Sequence, residues 1–164
     1  MKILAIDPGY ERLGIAIIEK EKGGKETLLY SECFKTSAKD AHAKRLGQIS
    51  KKISETLNVF PSEALAIEEL FLNTNQKTAM KVSEARGVVI AEAARAGLPV
   101  FEYTPLQIKV AVTGYGRSDK KAVISMIEKL INLSLDKKPQ DDEYDAIATG
   151  LTFFATQRAY SVRQ

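Results

Sequence analysis

The sequence predicts an α/β fold: a mixed five-stranded sheet, three antiparallel strands followed by two parallel ones, flanked by helices. Two observations carry this. Three strand-like runs open the chain with only tight turns between them, and short connections force antiparallel pairing. After them, helical and strand-like segments alternate, the pattern of crossovers that lay strands in parallel.

Each element has its own warrant. Lys2 to Asp7 reads as a strand because Ile3, Leu4, Ala5 and Ile6 are consecutive apolar residues, as expected when both faces are covered. Pro8-Gly9 breaks it. Leu13 to Glu19 is the second strand, Lys22-Gly23-Gly24-Lys25 a hairpin turn, and Glu26 to Phe34 the third strand. Asp40 to Asn58 has helical spacing, with Leu46, Ile49, Ile53 and Leu57 on one stripe, and Pro61 ends it. Ala64 to Glu68 is a short interior strand. A second long helix runs from about Asn75 to Ala96, with Gly97 as its C-terminal cap and Pro99 shortly after. Val100 to Tyr103 is the fifth strand and Pro105 to Val112 a short helix. Gly114-Tyr115-Gly116 is a loop, and Ser118 caps a helix running through about Leu133. Asp136 to Gln140 is a polar connection. Asp141 or Asp142 opens the last helix, which runs through about Ala159. The first strand should sit centrally, beside the fourth. The expected organisation is one domain over residues 1–159 and a frayed tail at 160–164.

Composition narrows the class. The 164 residues are 45% hydrophobic and 27% charged, which argues against disordered and fibrous classes. The apolar runs are too short and too interrupted by charge to span a membrane, and Met1 leads straight into a strand-like run without a signal-peptide pattern. The single cysteine, Cys33, fits a reducing compartment and reads as a buried small hydrophobe. A cytoplasmic location is expected. Net charge is only +3, but Phe101 to Lys138 holds seven basic residues against four acidic ones. A phosphate backbone would explain that local excess.

Three segments place acids at element ends: Asp7 after the first apolar run, Glu68 after the fourth strand's run, and Asp142 with Asp145 at the start of the last helix. An i, i+3 spacing puts the last two on one helical face. If the first and fourth strands are parallel neighbours, Asp7 and Glu68 emerge at one edge, and the helix closes a cluster. Clustered carboxylates repel and raise one another's pKa values. Hard divalent cations relieve that, and magnesium prefers oxygen ligands. Two such ions about 4 Å apart stabilise both oxygens of an in-line phosphoryl displacement. Each acid also has an ordinary explanation in turns, caps or solvated strand ends. The pattern alone does not choose between Glu68 and Glu69, or between Asp141 and Asp142.

A series of segments then resembles the RuvC family of Holliday junction resolvases. They are Ile3 to Gly9, Ala66 to Phe71 with Asn75, Ser83 to Gly87, Pro99 to Tyr103, Gly114 to Lys120, and Asp142 to Ala148, in order and with near-family spacing. The resemblance implies the ribonuclease H-like fold. It makes Asp7, Glu68, Asp142 and Asp145 the catalytic, metal-binding acids of a structure-specific endodeoxyribonuclease. It implies magnesium, two ions per active site, with manganese able to substitute. Four-way junctions would be resolved by symmetric hydrolysis in recombination and repair, leaving 5′-phosphate and 3′-hydroxyl ends. Some members carry a His at a C-terminal catalytic position; this chain has none there, and His42, its only histidine, reads as a surface residue. The family also implies a homodimer and the RuvA–RuvB branch-migration complex as partners. The dimer contact would use the second long helix, whose stripe Ala79, Val82, Ala85, Arg86, Val89 and Ala93 reads from spacing alone as core.

DNA contacts follow the same way. Phe71 reads from the residues as core, whereas the resemblance gives it contact with unpaired bases, for which an aromatic face is suited. Lys109 and Lys120 match backbone-contacting positions, Lys120 in the first turn of a helix, where phosphate is favoured. Arg117 and Lys121 extend the patch, and Asn73 and Asn75 could bond bases or phosphate. Three other readings are weaker. A ribonuclease H-like nuclease processing ribosomal RNA precursors lacks this aromatic and this Gly-x-Gly-x-x-x-Lys loop. A non-catalytic junction binder should lack an acid, and a sugar-kinase-like domain needs a longer chain.

Overall fold

The computed structural model describes residues 1–70, 76–133 and 138–161. Its spine is β1 (Lys2–Asp7), whose four apolar residues Ile3 to Ile6 are fully buried. Strand β2 (Arg12–Glu19) pairs antiparallel with it, Asp7 opposite Gly14, and β3 (Thr27–Lys35) pairs antiparallel with β2. Helix α1 (His42–Val59) leads to β4 (Leu65–Glu68), which lies parallel to β1 on its other side. Helix α2 (Gln76–Arg95) leads to β5 (Val100–Tyr103), parallel to β4. Helices α3 (Pro105–Thr113) and α4 (Lys120–Leu130) follow, then a two-residue β6 (Asn132–Leu133) and α5 (Asp141–Ser161). The sheet order is β5-β4-β1-β2-β3-β6, so the expected central first strand, its antiparallel meander and its parallel fourth strand are all observed.

The alternation of the strands divides the interior into two cores. Ile3 and Ala5 of β1, with Ala16 and Ile18 of β2, face α3, α4 and α5, meeting Ile108, Ile127, Ile147 and Phe153. Leu4, Ile6, Ile15 and Ile17 face the other way, against Ile49 and Ile53 of α1 and Ala85, Val89 and Ala93 of α2. The α2 stripe is therefore the chain's own core, while Met80 on that helix is 66% exposed.

Four expectations are corrected. Among the described residues the sheet has six strands, not five. Helix α4 stops at Leu130 rather than near Leu133: Ile131 turns extended and buries itself, and the Asn132 N–H donates to the Glu26 carbonyl at 3.0 Å, pairing β6 in parallel with the free edge of β3. The N-cap of α4 is Asp119, not Ser118. Asp119 accepts from the Ala122 N–H at 2.8 Å, while the Ser118 hydroxyl turns back to Tyr115 and Thr113. The last helix opens at Asp141 and runs to Ser161, so two residues of the expected tail are helical and residues 162–164 lie outside those described. Gly97 closes α2 at φ 76° as expected. No helix among the described residues is long and apolar enough to cross a membrane.

Helix α5 lies directly on the sheet because two glycines let it. A Cβ on Gly14 would collide with the Asp142 backbone carbonyl, its carbon only 2.9 Å away. A Cβ on Gly150 would sit 2.6 Å from Ile18 Cδ1 and 3.0 Å from Ala5 Cβ. Buried Glu143 fastens the start of the helix, accepting from the Ser31 hydroxyl of β3 and from the Gln140 N–H. We expect Gly14→Ala to lower unfolding stability by about 1–3 kcal/mol, the cost of overpacking a rigid contact. Gly47→Ala, in α1 with open space where its Cβ would go, should instead stabilise by up to about 1 kcal/mol. Urea denaturation of both variants checks the contrast, and equal effects would refute the close-approach account.

Candidate active site

The register of the sheet delivers the first two acids. Ile6 of β1 pairs with Ile67 of β4, so Asp7 and Glu68, one residue on, emerge side by side at the same strand ends. Helix α5 brings Asp142 and Asp145 to that edge, its first turn seated on Gly14 beside Asp7. Two further contacts hold the frame. The Arg86 Nε of α2 donates to the Glu68 backbone carbonyl at 3.0 Å while its guanidinium pairs with Glu102 of β5. Buried Arg45 lies 3.7 Å from the Tyr10 ring centroid and donates to Thr36 at 2.9 Å, bracing the β1–β2 turn.

Electrostatics single out Asp7. Burial, then the neighbouring charges of Glu68, Asp145 and Asp142, push its carboxyl up to about 8, against a smaller opposing pull from Lys120. Glu68 is pushed up to about 7 by burial and by Asp145, with Lys109 pulling it back. Asp142 goes the other way. Burial raises it, but hydrogen bonds from Arg12 outweigh that and hold it below the usual carboxylate range. Arg12 grips Asp142 through both Nε, at 2.9 Å, and a terminal nitrogen, and the Cys33 Sγ adds a 3.5 Å contact. Asp145 receives Lys120 Nζ at 3.0 Å, and the same ammonium lies 3.5 Å from Asp141.

A cleft of about 390 Å³ opens over these groups, lined by Asp7, Glu68, Asp145, Lys109, Lys120, Ser118 and Asp119 on an apolar floor of Ile108, Val123 and Ala148. Glu68 lines it and Glu69 does not. Asp142 acts on Asp7 electrostatically but reaches towards Arg12, outside the cleft lining. Among the described residues, no three acidic, histidine or cysteine side chains converge closely enough to share one metal ion. The donor set is nonetheless hard, all-oxygen and mutually repulsive around a buried acid, which suits a divalent cation such as magnesium.

Of the expected DNA contacts, Lys109 and Lys120 line the cleft, whereas Arg117 and Lys121 are exposed on the segment beside it. At the N-terminus of α4 Asp119 accepts from the Ala122 N–H, and the Lys120 ammonium pairs with Asp145. Phe71, Asn73 and Asn75 lie outside the described residues. His42 is surface-exposed, as read, yet bonds Tyr10 at 2.8 Å and Glu84 at 3.0 Å. Sequence reasoning missed Arg12, Cys33 as a neighbour of Asp142, Arg86 as a tie to Glu68, and Glu143. Only Arg12 had a signal: a cation that follows the break after the first acid, at the start of the next strand.

Comparison with known proteins identifies the family. The profile of the family described as "Crossover junction endodeoxyribonuclease RuvC" matches residues 3–153. The crossover junction endodeoxyribonuclease RuvC of Alkaliphilus metalliredigens is 47% identical over 151 residues, covering 92% of this chain and 91% of that one. That of Moorella thermoacetica is 43% identical over 152 residues, covering 92% and 89%. Among solved structures, Thermus thermophilus RuvC in complex with a Holliday junction substrate superposes with a TM-score of 0.88 at 34% identity, over 97% of this chain and 96% of that one. The yeast mitochondrial Holliday junction resolvase shares the fold, with a TM-score of 0.68 at 11% identity, over 95% of this chain and 77% of that one. The chain belongs to the RuvC family of crossover junction endodeoxyribonucleases.

Proposed function

We propose that this chain resolves four-way DNA junctions by metal-dependent hydrolysis of phosphodiesters, leaving 5′-phosphate and 3′-hydroxyl ends. The observation that carries the chemistry is Asp7, buried and pushed up to about 8 within a ring of three other acids. The fold spends stability on an arrangement with no structural use. Asp7, Glu68, Asp142 and Asp145 are the residues that would hold the ions, with magnesium the intended metal. Such a pair of ions supplies activation of water and neutralisation of charge at phosphorus.

The chain's own groups do the rest. Lys109 and Lys120 line the cleft beside the acids and bind the phosphate backbone there. The floor of Ile108, Val123 and Ala148 excludes bulk water, which strengthens every charge interaction above it. Arg86 and Glu143 keep the strand end and the helix start from shifting as charge accumulates. Two copies related by a two-fold axis match the near-symmetry of a junction, so the working form is a homodimer. Phe71, with Asn73 and Asn75, contacts bases at the cut, and the RuvA–RuvB branch-migration complex is the expected partner. A magnesium-dependent cleavage assay comparing a mobile four-way junction, duplex DNA and an RNA–DNA hybrid tests the reading. Preference for the hybrid would overturn it.

Three outcomes are expected. Asp7→Asn abolishes junction cleavage while leaving junction binding largely intact; near wild-type cutting in magnesium would sink the assignment. The metal-free protein should also lose stability as pH rises. An acid whose folded pKa exceeds its unfolded value keeps a proton that the unfolded chain has already released, so stability is fullest near pH 4 and declines towards pH 8. Asp7→Asn removes the larger part of that decline and should stabilise the metal-free protein at pH 8 by on the order of a few kcal/mol. If the two melting temperatures keep the same separation at pH 5 and pH 8, the account fails. Lys120→Ala should weaken junction binding and reduce the slope of log affinity against log salt by about one; an unchanged slope counts against backbone contact.

A further inference from the structure

Two of the four acids are not free. Asp142 is gripped by Arg12 from the start of β2, and Asp145 by Lys120 from the start of α4. The two cations come from different elements, one on β2 and one on α4, and each holds one carboxylate of α5. This accounts for a second observation: among the described residues, no three ligating side chains converge on one point, although Asp7 feels all three other acids electrostatically. The acids are assembled but splayed, with protein cations in the places of counter-ions.

Resting on the metal-nuclease reading above, we propose that Arg12 is a further active-site residue, the resting counter-ion of Asp142, which is displaced when divalent cations load and then passes to a substrate phosphate. Lys120 already sits in the cleft as the counter-ion of Asp145. Arg12 completes a pair. A divalent ion bound by Asp142 would repel a guanidinium in contact with the same oxygen. Arg12 has somewhere to go: its side chain is 47% exposed, against 21% for Asp142, and the backbone at Arg12 is held by its pairing with Lys35 of β3, so only the side chain need move. A guanidinium matches phosphate geometry through paired N–H donors, and a released one beside the strand ends meets the backbone on the side opposite Lys109 and Lys120. A divalent ion brings one charge more to Asp142 than the guanidinium it replaces, and the released guanidinium is itself neutralised by a DNA phosphate. Cys33 remains against Asp142 throughout, so the carboxylate keeps a neighbour when Arg12 leaves.

The test is magnesium binding to the DNA-free protein by isothermal titration calorimetry, for wild type, Arg12→Gln and Arg12→Lys. Removing a half-exposed ion pair should let Arg12→Gln bind magnesium about two- to fivefold more tightly. Arg12→Lys, which keeps the charge, should stay close to wild type. Binding to a four-way junction with calcium in place of magnesium should then weaken in Arg12→Gln, with the salt slope reduced by about one. Magnesium affinity in Arg12→Gln equal to or weaker than wild type would overturn the counter-ion role, and an unchanged salt slope would overturn the transfer to phosphate. Wild type that takes up no magnesium at all would instead refute the underlying metal reading.

Discussion

The close approach of α5 to β2 at Gly14 is the constraint on which this molecule turns. The Asp142 carbonyl occupies the space where any other residue would place a Cβ, so the helix cannot rise or slide without opening the core. The proposed active site depends on that seat. It sets Asp142 and Asp145 beside Asp7, which the pairing of β1 with β4 has already set beside Glu68. Gly150 repeats the approach further along, and the buried Glu143–Ser31 contact holds the helix start from the β3 side. A helix opening with three acidic residues in a row is placed, by packing alone, onto a strand that ends in a fourth acid.

That placement is costly, and the cost shows where it falls. Asp142 and Asp145 have protein cations, while burial and neighbouring acids push the carboxyls of Asp7 and Glu68 well above the usual range. The two cores absorb the penalty. Fully buried strand residues on both faces make the sheet rigid enough to hold four acidic groups together. An active site of this kind trades stability for readiness.

How much of this was legible depended on whether a residue's role was set by its own neighbours in the chain. β1, β4 and β5 could be read because uninterrupted apolar runs have one meaning in a sheet covered on both faces. The i, i+3 spacing of Asp142 and Asp145 was legible because helical geometry is local. β6 was not: two residues pair with β3 through contacts such as the Asn132 N–H on the Glu26 carbonyl, made between segments more than a hundred residues apart. The cap of α4 went to Asp119 rather than Ser118 because Ser118 found partners in Thr113 and Tyr115 across the loop. Arg12, Arg86 and Glu143 act across many residues of sequence, and single cations or acids at such separations carry no periodic signal. Family resemblance, not periodicity, separated Glu68 from Glu69 and Asp142 from Asp141.

The brief β6 has a consequence of a different kind. Sheets fail in solution through their margins, where unpaired N–H and carbonyl groups invite a strand from another molecule. Here one margin is a two-residue strand and the other, β5, is four residues long with the acidic Glu102 tied to Arg86. Neither offers a long template for sheet extension. Copies of this chain that meet at high concentration are thereby steered away from edge-to-edge stacking, and association is left to the helical faces.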